Sequence, residues 1–466
     1  MLLLIFFAIY SFLLLVNLIY LPVAWLDEIC YLDPAVNFVE YGHYSSKLWG
    51  YKGTQEVFLT HLPMLQWVHI VTLSIFPRDI FFIRLPFALF FISAIYFYRK
   101  WLMVRGLNAV TILFIIIFFT LDKGVYEIIR SMRMETLELF FLILSLYLLS
   151  INKYKLPNAL IISSLALTHP CTGAMSLVLM FFLLKNCEEV KLKIAVLLIA
   201  LIPVAGYLSI GNFNLSLYYD QLIMHGKDHS MATVPGSRHW KHFIGRFMHY
   251  TPATGQFKMF YTTQPYVMLI NFIALWQSFR VIIKKKKNPI IEIIYIVTNV
   301  YWMLAAGPFY RYNVVLLALG YVLCAEWIRD IILPYFSMKL MHLRLTFISA
   351  LVIFVIGFEF FARNIVCILQ HPSRNPYLFY SWLDKNIPSN KKILIIEPCS
   401  AYYYKLKHSN LEYAMKEYLG NFRYEEYDEI YYCTSGDELK EVKPIDIYYQ
   451  ENSSLLNFMP LRITGV

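Results

Sequence analysis

The chain has 466 residues, of which 59% are hydrophobic and 15% charged, against about 25% charged in an ordinary soluble domain. That balance excludes a soluble globular protein and points to a polytopic membrane protein. The formal net charge of +10 does not signal nucleic-acid binding, because the basic residues fall in short clusters between apolar runs and read as topology signals.

Apolar runs approaching the ~20 residues needed to cross a bilayer core set the expected spans. The first covers residues 1–23. It has no basic n-region and no small-x-small cleavage site, so it reads as an uncleaved span rather than a signal peptide. Others follow near 80–98, 108–121, 134–151, 158–169, 172–184, 194–211, 265–283, 290–306, 312–328 and 345–363, making about eleven in all. The runs at 108–121, 158–169 and 172–184 are short for a full crossing unless flanking residues extend them.

With the N-terminus in the cytoplasm, five basic clusters all lie inside. They are Arg99/Lys100/Arg105, Lys153/Lys155, Lys185/Lys191/Lys193, Lys284–Lys287 and Arg329/Lys339/Arg344. The outer face then receives Ala24–Asp79, Gly211–Gln264 and everything after about Arg363. The expected fold is mainly α, with a transmembrane helical domain over 1–365 and a small extracytoplasmic α/β domain over 366–466. No internal repeat is visible, so a transporter-like duplication is unsupported.

The first outer segment carries Asp27, Glu28, Tyr31 and Asp33, a turn at Tyr41-Gly42-His43, and the apolar-rich Leu62–Trp67. Such a pattern predicts short helices lying along the membrane surface. In the second, His225, His229, His239, His242 and His249 gather with Asp228, but their spacing matches no known ligand set. A loop that orders over a bound substrate is the stronger reading of that segment. The C-terminal segment predicts strands at 392–397, 429–433 and 445–449 and a helix around 411–418. No C-x-x-C occurs; Cys30, Cys171, Cys324 and Cys367 read as packing, and Cys399 and Cys433 are candidates for a disulfide.

Asp27-Glu28 follows the first span directly, and ionisable groups at a membrane boundary are candidate sites, the alternative being a solvated loop. The chain has no P-loop, no G-x-G-x-x-G and no D-x-D. Outside a bacterial cell there is neither ATP nor a nucleotide-sugar pool, so an enzyme there needs a substrate delivered by the membrane. A sugar on a polyprenyl phosphate meets that need. Displacing the phosphate requires a base for the incoming hydroxyl and cations for the departing anion, and the outer segments offer both.

Several motifs stand in order along the chain. Asp27-Glu28-x-x-Tyr31 leads to Ala35 and the Tyr41-Gly42 turn, then His61-x-Pro63-x-x-x-Trp67 and Arg84-Leu85-Pro86. Arg133-Met134-Glu135, His169-Pro170 and Tyr310-Arg311-Tyr312 follow. On these residues, over roughly 1–330, the chain resembles the integral-membrane glycosyltransferases of the GT-C superfamily. Within it, the likeness is to the lipid A aminoarabinose transferases and the protein O-mannosyltransferases.

The resemblance implies a multi-pass protein of the cell inner membrane with its active site on the extracytoplasmic side. It implies single-step, inverting transfer of one hexosyl or pentosyl unit from a polyprenyl-phosphate donor to a glycolipid, polysaccharide or protein hydroxyl. Asp27 would be the base, and Glu28 would support it by a hydrogen bond or metal contact. The aminoarabinose transferases have a lysine beside the proline in the segment that here carries His61, so the phosphate-binding cation is open among His61, Arg84, Arg130, Arg133 and Arg311. The arginines equally suit snorkelling or headgroup binding. Glu135 is an active-site candidate or a helix N-terminal acid; Tyr31 and His169 are pocket candidates, His169 otherwise an interhelical histidine. No cofactor is certain, and a divalent metal remains open. The rival readings are a polymerase or ligase using polyprenyl-diphosphate oligosaccharides, and a lipid-linked sugar flippase or transporter.

Overall fold

The structure is a computed structural model, and it describes residues 2–16, 18–19, 26–49, 56–222, 265–284, 288–305, 314–332, 362, 376–396, 399–415, 426–433 and 439–441. The chain is mainly helical. In order run α1 (Leu2–Val16), α2 (Leu26–Tyr41), α3 (Met64–Ile75), α4 (Ile80–Val104), α5 (Ala109–Leu121), α6 (Lys123–Ile128), α7 (Met134–Ile151), α8 (Lys155–Ala166), α9 (Thr172–Lys185) and α10 (Val190–Ile210). After these come α11 (Pro265–Ile283), α12 (Ile290–Ala305), α13 (Val314–Trp327), α14 (Pro376–Asn386) and α15 (Ser400–Lys405).

Every expected apolar run up to residue 328 contains a helix; the run at 345–363 falls almost wholly outside the described residues. Among the described residues, three helices, α4, α7 and α10, are long and apolar enough to cross a membrane. Helix length therefore supports membrane association without fixing eleven crossings. α10 leaves Leu197, Leu198, Leu201 and Ile202 exposed along its middle, an apolar surface that lipid shields and water does not.

Local sequence sets the ends. Asp79 caps α4 by accepting from the Phe81 N–H at 3.0 Å, and Asn108 caps α5 by accepting from the Thr111 N–H at 2.8 Å. Gly42 closes α2 at the expected Tyr41-Gly42-His43 turn, in the left-handed region with φ +72°. The bundle core packs α4 against α7 and α11 against α13 around Phe91, Tyr98, Trp101 and Phe119. There the Tyr98 hydroxyl donates to the Ala318 carbonyl at 2.5 Å.

The C-terminal segment forms a sheet of order β2-β1-β3-β4, with β1 (Ile393–Ile396) parallel to β2 (Leu411–Ala414) and β3 (Glu429–Cys433). β4 (Leu439–Glu441) pairs antiparallel to β3. β1 is the continuous apolar run Ile-Leu-Ile-Ile and is buried throughout, as a central parallel strand must be. The helix expected at 411–418 is corrected: 411–414 is strand β2, and the helix is α15, the crossover between β1 and β2. A short apolar run cannot be assigned by periodicity alone. Here pairing with β1, Ile393 opposite Leu411 through Ile396 opposite Ala414, decides it. The expected strand at 445–449 lies outside the described residues.

This α/β unit shares one buried cluster with the helices. Ile29, Leu32 and Val36 of α2, Ile83 and Phe87 of α4 and Leu137 of α7 belong to the same apolar core as Ile395, Tyr402, Tyr403 and Tyr413. The unit is thus packed directly over the first turn of α2.

Candidate active site

Asp27 and Glu28 occupy the first turn of α2, where the helix dipole favours acids. Neighbours on a helix diverge by about 100°, so the pair splits. The Glu28 side chain is 0% exposed and that of Asp27 is 29% exposed. Glu28 is fixed on every side: Arg84 Nη2 lies 2.6 Å from Oε2, the Met132 N–H donates to Oε1 at 3.2 Å, and the Tyr403 hydroxyl donates to Oε2 at 3.4 Å. Burial pushes the Tyr403 hydroxyl well above its ordinary pKa, and the Glu28 carboxylate adds to the shift. It therefore stays a donor.

Arg133 sits in extended conformation just before α7, with its guanidinium turned back between two acids. It donates to Asp27 Oδ2 at 2.5 Å and to Glu135 through Nε and Nη2 at 2.9–3.1 Å. Glu135 is thereby a buried anchor for Arg133, more than an acid easing the helix terminus. Asp27 is the member of the network that solvent or substrate can reach.

Tyr31 lies one turn beyond Asp27, on the same helix face. Its ring meets His61 edge-on at 5.0 Å, while His61 stacks on Phe58 at 5.7 Å and lies 4.8 Å from Trp49. The acid therefore adjoins an aromatic wall with His61 at its centre.

The other candidate cations are spent internally. Arg84 Nη1 donates to the Leu18 carbonyl at 2.9 Å, and Arg130 reaches the Leu13 and Leu14 carbonyls at 3.4 Å while lying 4.2 Å from the Tyr126 ring centroid. Both thus neutralise the carbonyl-rich end of α1. Arg311 and the histidine-rich stretch after residue 222 lie outside the described residues. His169, between α8 and α9, is buried beside Cys171 and not among the residues around Asp27. A separate cavity of about 660 Å³ opens between α2, α3 and the end of α10, lined by Phe38, Tyr44, Trp67 and Ile210, and it does not include Asp27.

Sequence reasoning missed the C-terminal contributions. Tyr402 donates to Asp33 at 2.9 Å, and Asp33 also accepts from Ser46 and from the Lys47 N–H. Asp79, at the head of α4, accepts from the Tyr377 hydroxyl at 2.6 Å and from Lys407 Nζ at 2.7 Å. No local signal marks pairs 298 to 375 positions apart.

Partial burial raises the Asp79 pKa, but Lys407, Tyr377 and the Phe81 N–H outweigh it and hold the carboxyl below its ordinary 3.8. A depressed folded pKa gives stability that is complete above the unfolded value and lost as pH falls through the folded one. Acidification below pH 3.8 is therefore expected to loosen α14 and α15 from α4. Amide exchange in those helices, corrected for intrinsic rates, should lose protection there, and Asp79→Asn should flatten that dependence.

No protein-family model matches the chain, and no curated protein matches it. Fold and site together define a mainly helical protein with membrane-length apolar helices. At one end of α2, α4 and α7 it carries a carboxylate–guanidinium network of which one acid is accessible.

Proposed function

We propose that the chain is an integral-membrane glycosyltransferase moving one sugar from a polyprenyl-phosphate donor to an acceptor hydroxyl. The observation that carries this reading is the division of the acidic pair: Glu28 is locked in the interior while Asp27 is partly exposed, oriented by Arg133 and flanked by Tyr31. A partly exposed, oriented carboxylate beside aromatic faces suits a base working on a sugar hydroxyl, since ring faces stack on the apolar faces of sugars. The motif resemblance to GT-C enzymes points the same way.

In this reading Asp27 takes the acceptor proton as the new C1–O bond forms with inversion. The C1–O bond to phosphate breaks, and the lipid phosphate leaves with the electron pair. Arg84, Arg130 and Arg133 are engaged with Glu28, with α1, and with Asp27 and Glu135 respectively, so the phosphate falls to His61, with Arg311 as a further candidate. His61 serves as a cation only when protonated. The site faces the extracytoplasmic side of the cell inner membrane, and the acceptor is a glycolipid, polysaccharide or protein.

Membranes containing the chain are expected to transfer label from a polyprenyl-monophosphate sugar, adding the mass of one sugar to lipid A, polysaccharide or protein. Use of polyprenyl-diphosphate oligosaccharides instead would convert the reading to a polymerase or ligase. Movement of lipid-linked sugar across the bilayer without transfer would convert it to a flippase.

A further inference from the structure

Away from Asp27, three residues with metal-ligating side chains converge in the interior. Glu138 comes from α7, and His169 and Cys171 come from the turn between α8 and α9. Their ligand atoms all lie within 4.8 Å of one another, and all three residues are buried. His169 Nδ1 is 3.0 Å from Cys171 Sγ, and Cys171 Sγ is 3.4 Å from Glu138 Oε1. The edge of a tetrahedron around zinc, with Zn–N about 2.0 Å and Zn–S about 2.3 Å, is roughly 3.5 Å. The Cys171–Glu138 separation is already near that value, and the His169–Cys171 separation is about 0.5 Å short of it.

We propose that Glu138, His169 and Cys171 bind a zinc ion. Charge is the first reason. Glu138 is 2% exposed and, among the described residues, no basic side chain lies within ion-pair distance of it, Arg133 being turned to Asp27 and Glu135. Burying a carboxylate without a cation is costly, and a divalent ion removes that cost. The donor set is the second reason. Thiolate, imidazole and carboxylate together suit zinc, whereas magnesium and calcium take oxygen ligands. Three protein ligands also leave a fourth position for water.

The turn is built to hold this arrangement. Pro170 stiffens it between the two ligands, and the Thr172 hydroxyl bonds the Leu165 and His169 carbonyls at 2.5 and 2.6 Å. Supporting hydrogen bonds of this kind fix ligand direction. Glu138 lies one turn below Glu135 on α7, so the ion ties the α8–α9 turn to the helix that carries the Arg133 anchor. The proposal does not rest on glycosyl transfer, and its test uses no sugar.

The full chain, purified in detergent and equilibrated with micromolar free zinc, is expected to retain about one zinc per chain by elemental mass spectrometry. Cys171→Ser and His169→Gln are each expected to lose that ion. Replacing zinc with cobalt should produce sulfur-to-cobalt charge-transfer absorption that Cys171→Ser abolishes. A wild-type chain without bound metal, or variants that keep a full zinc equivalent, would overturn the site. Should the variants fail to accumulate, the wild-type cobalt spectrum decides alone, and a spectrum without the sulfur band overturns it.

Discussion

Asp27→Asn is expected to reduce glycosyl transfer by at least ~10²–10⁴-fold, the usual contribution of a positioned base, while the protein accumulates and folds as the wild type does. The amide keeps the shape of the carboxylate and an oxygen to accept from Arg133, but it cannot take a proton. Arg133 retains its contact with buried Glu135, so the guanidinium is not stranded. With a 29% exposed side chain, the Asp27 half of the network contributes little to stability, of order 1 kcal/mol or less once solvent screening is counted. Transfer assays on membranes matched for protein abundance read the outcome. Wild-type rates in that variant would remove Asp27 from the chemistry.

The second large effect falls on stability. Glu28→Leu or Arg84→Met should destabilise the chain by about 3–5 kcal/mol, because each leaves a buried charge without its partner. Glu28 and Arg84 are both 0% exposed and 2.6 Å apart, and water cannot compensate either one. Exchanging both together, Glu28→Leu with Arg84→Met, should recover much of the loss, since apolar side chains of similar volume replace a buried pair at little net cost. Thermal unfolding in detergent of the two single variants and the double variant closes the cycle. Single variants that unfold at the wild-type temperature would show the pair to be solvated rather than interior. The contrast between adjacent residues is itself a test: one is expected to lose chemistry without stability, the other stability first.

Much of this was legible in the sequence for a local reason. Long apolar runs form helices because a helix satisfies its backbone groups within the segment, so the runs at 134–151 and 265–283 reappear as α7 and α11 at nearly the same bounds. The acidic pair was visible because it directly follows the first apolar run. What stayed hidden depends on distant partners. Leu411–Ala414 reads equally as helix or strand until β1 is beside it. Arg84 looked like a free cation because Glu28 and the end of α1 reach it only in the fold. Glu138 and Cys171 are 33 positions apart, with none of the close spacing by which ligand sets are recognised in sequence.

The contact of Tyr403 with Glu28 spans 375 positions, and it sets an order of events during synthesis. At roughly 5–20 residues per second, the ribosome needs on the order of 20–75 s to supply the hydroxyl after the acid has emerged. Throughout that interval the nascent helices carry an acidic pair whose interior member lacks one of its donors. The working arrangement therefore arises late, when the end of the polypeptide closes over its beginning, and a chain halted midway has membrane helices but an unfinished centre.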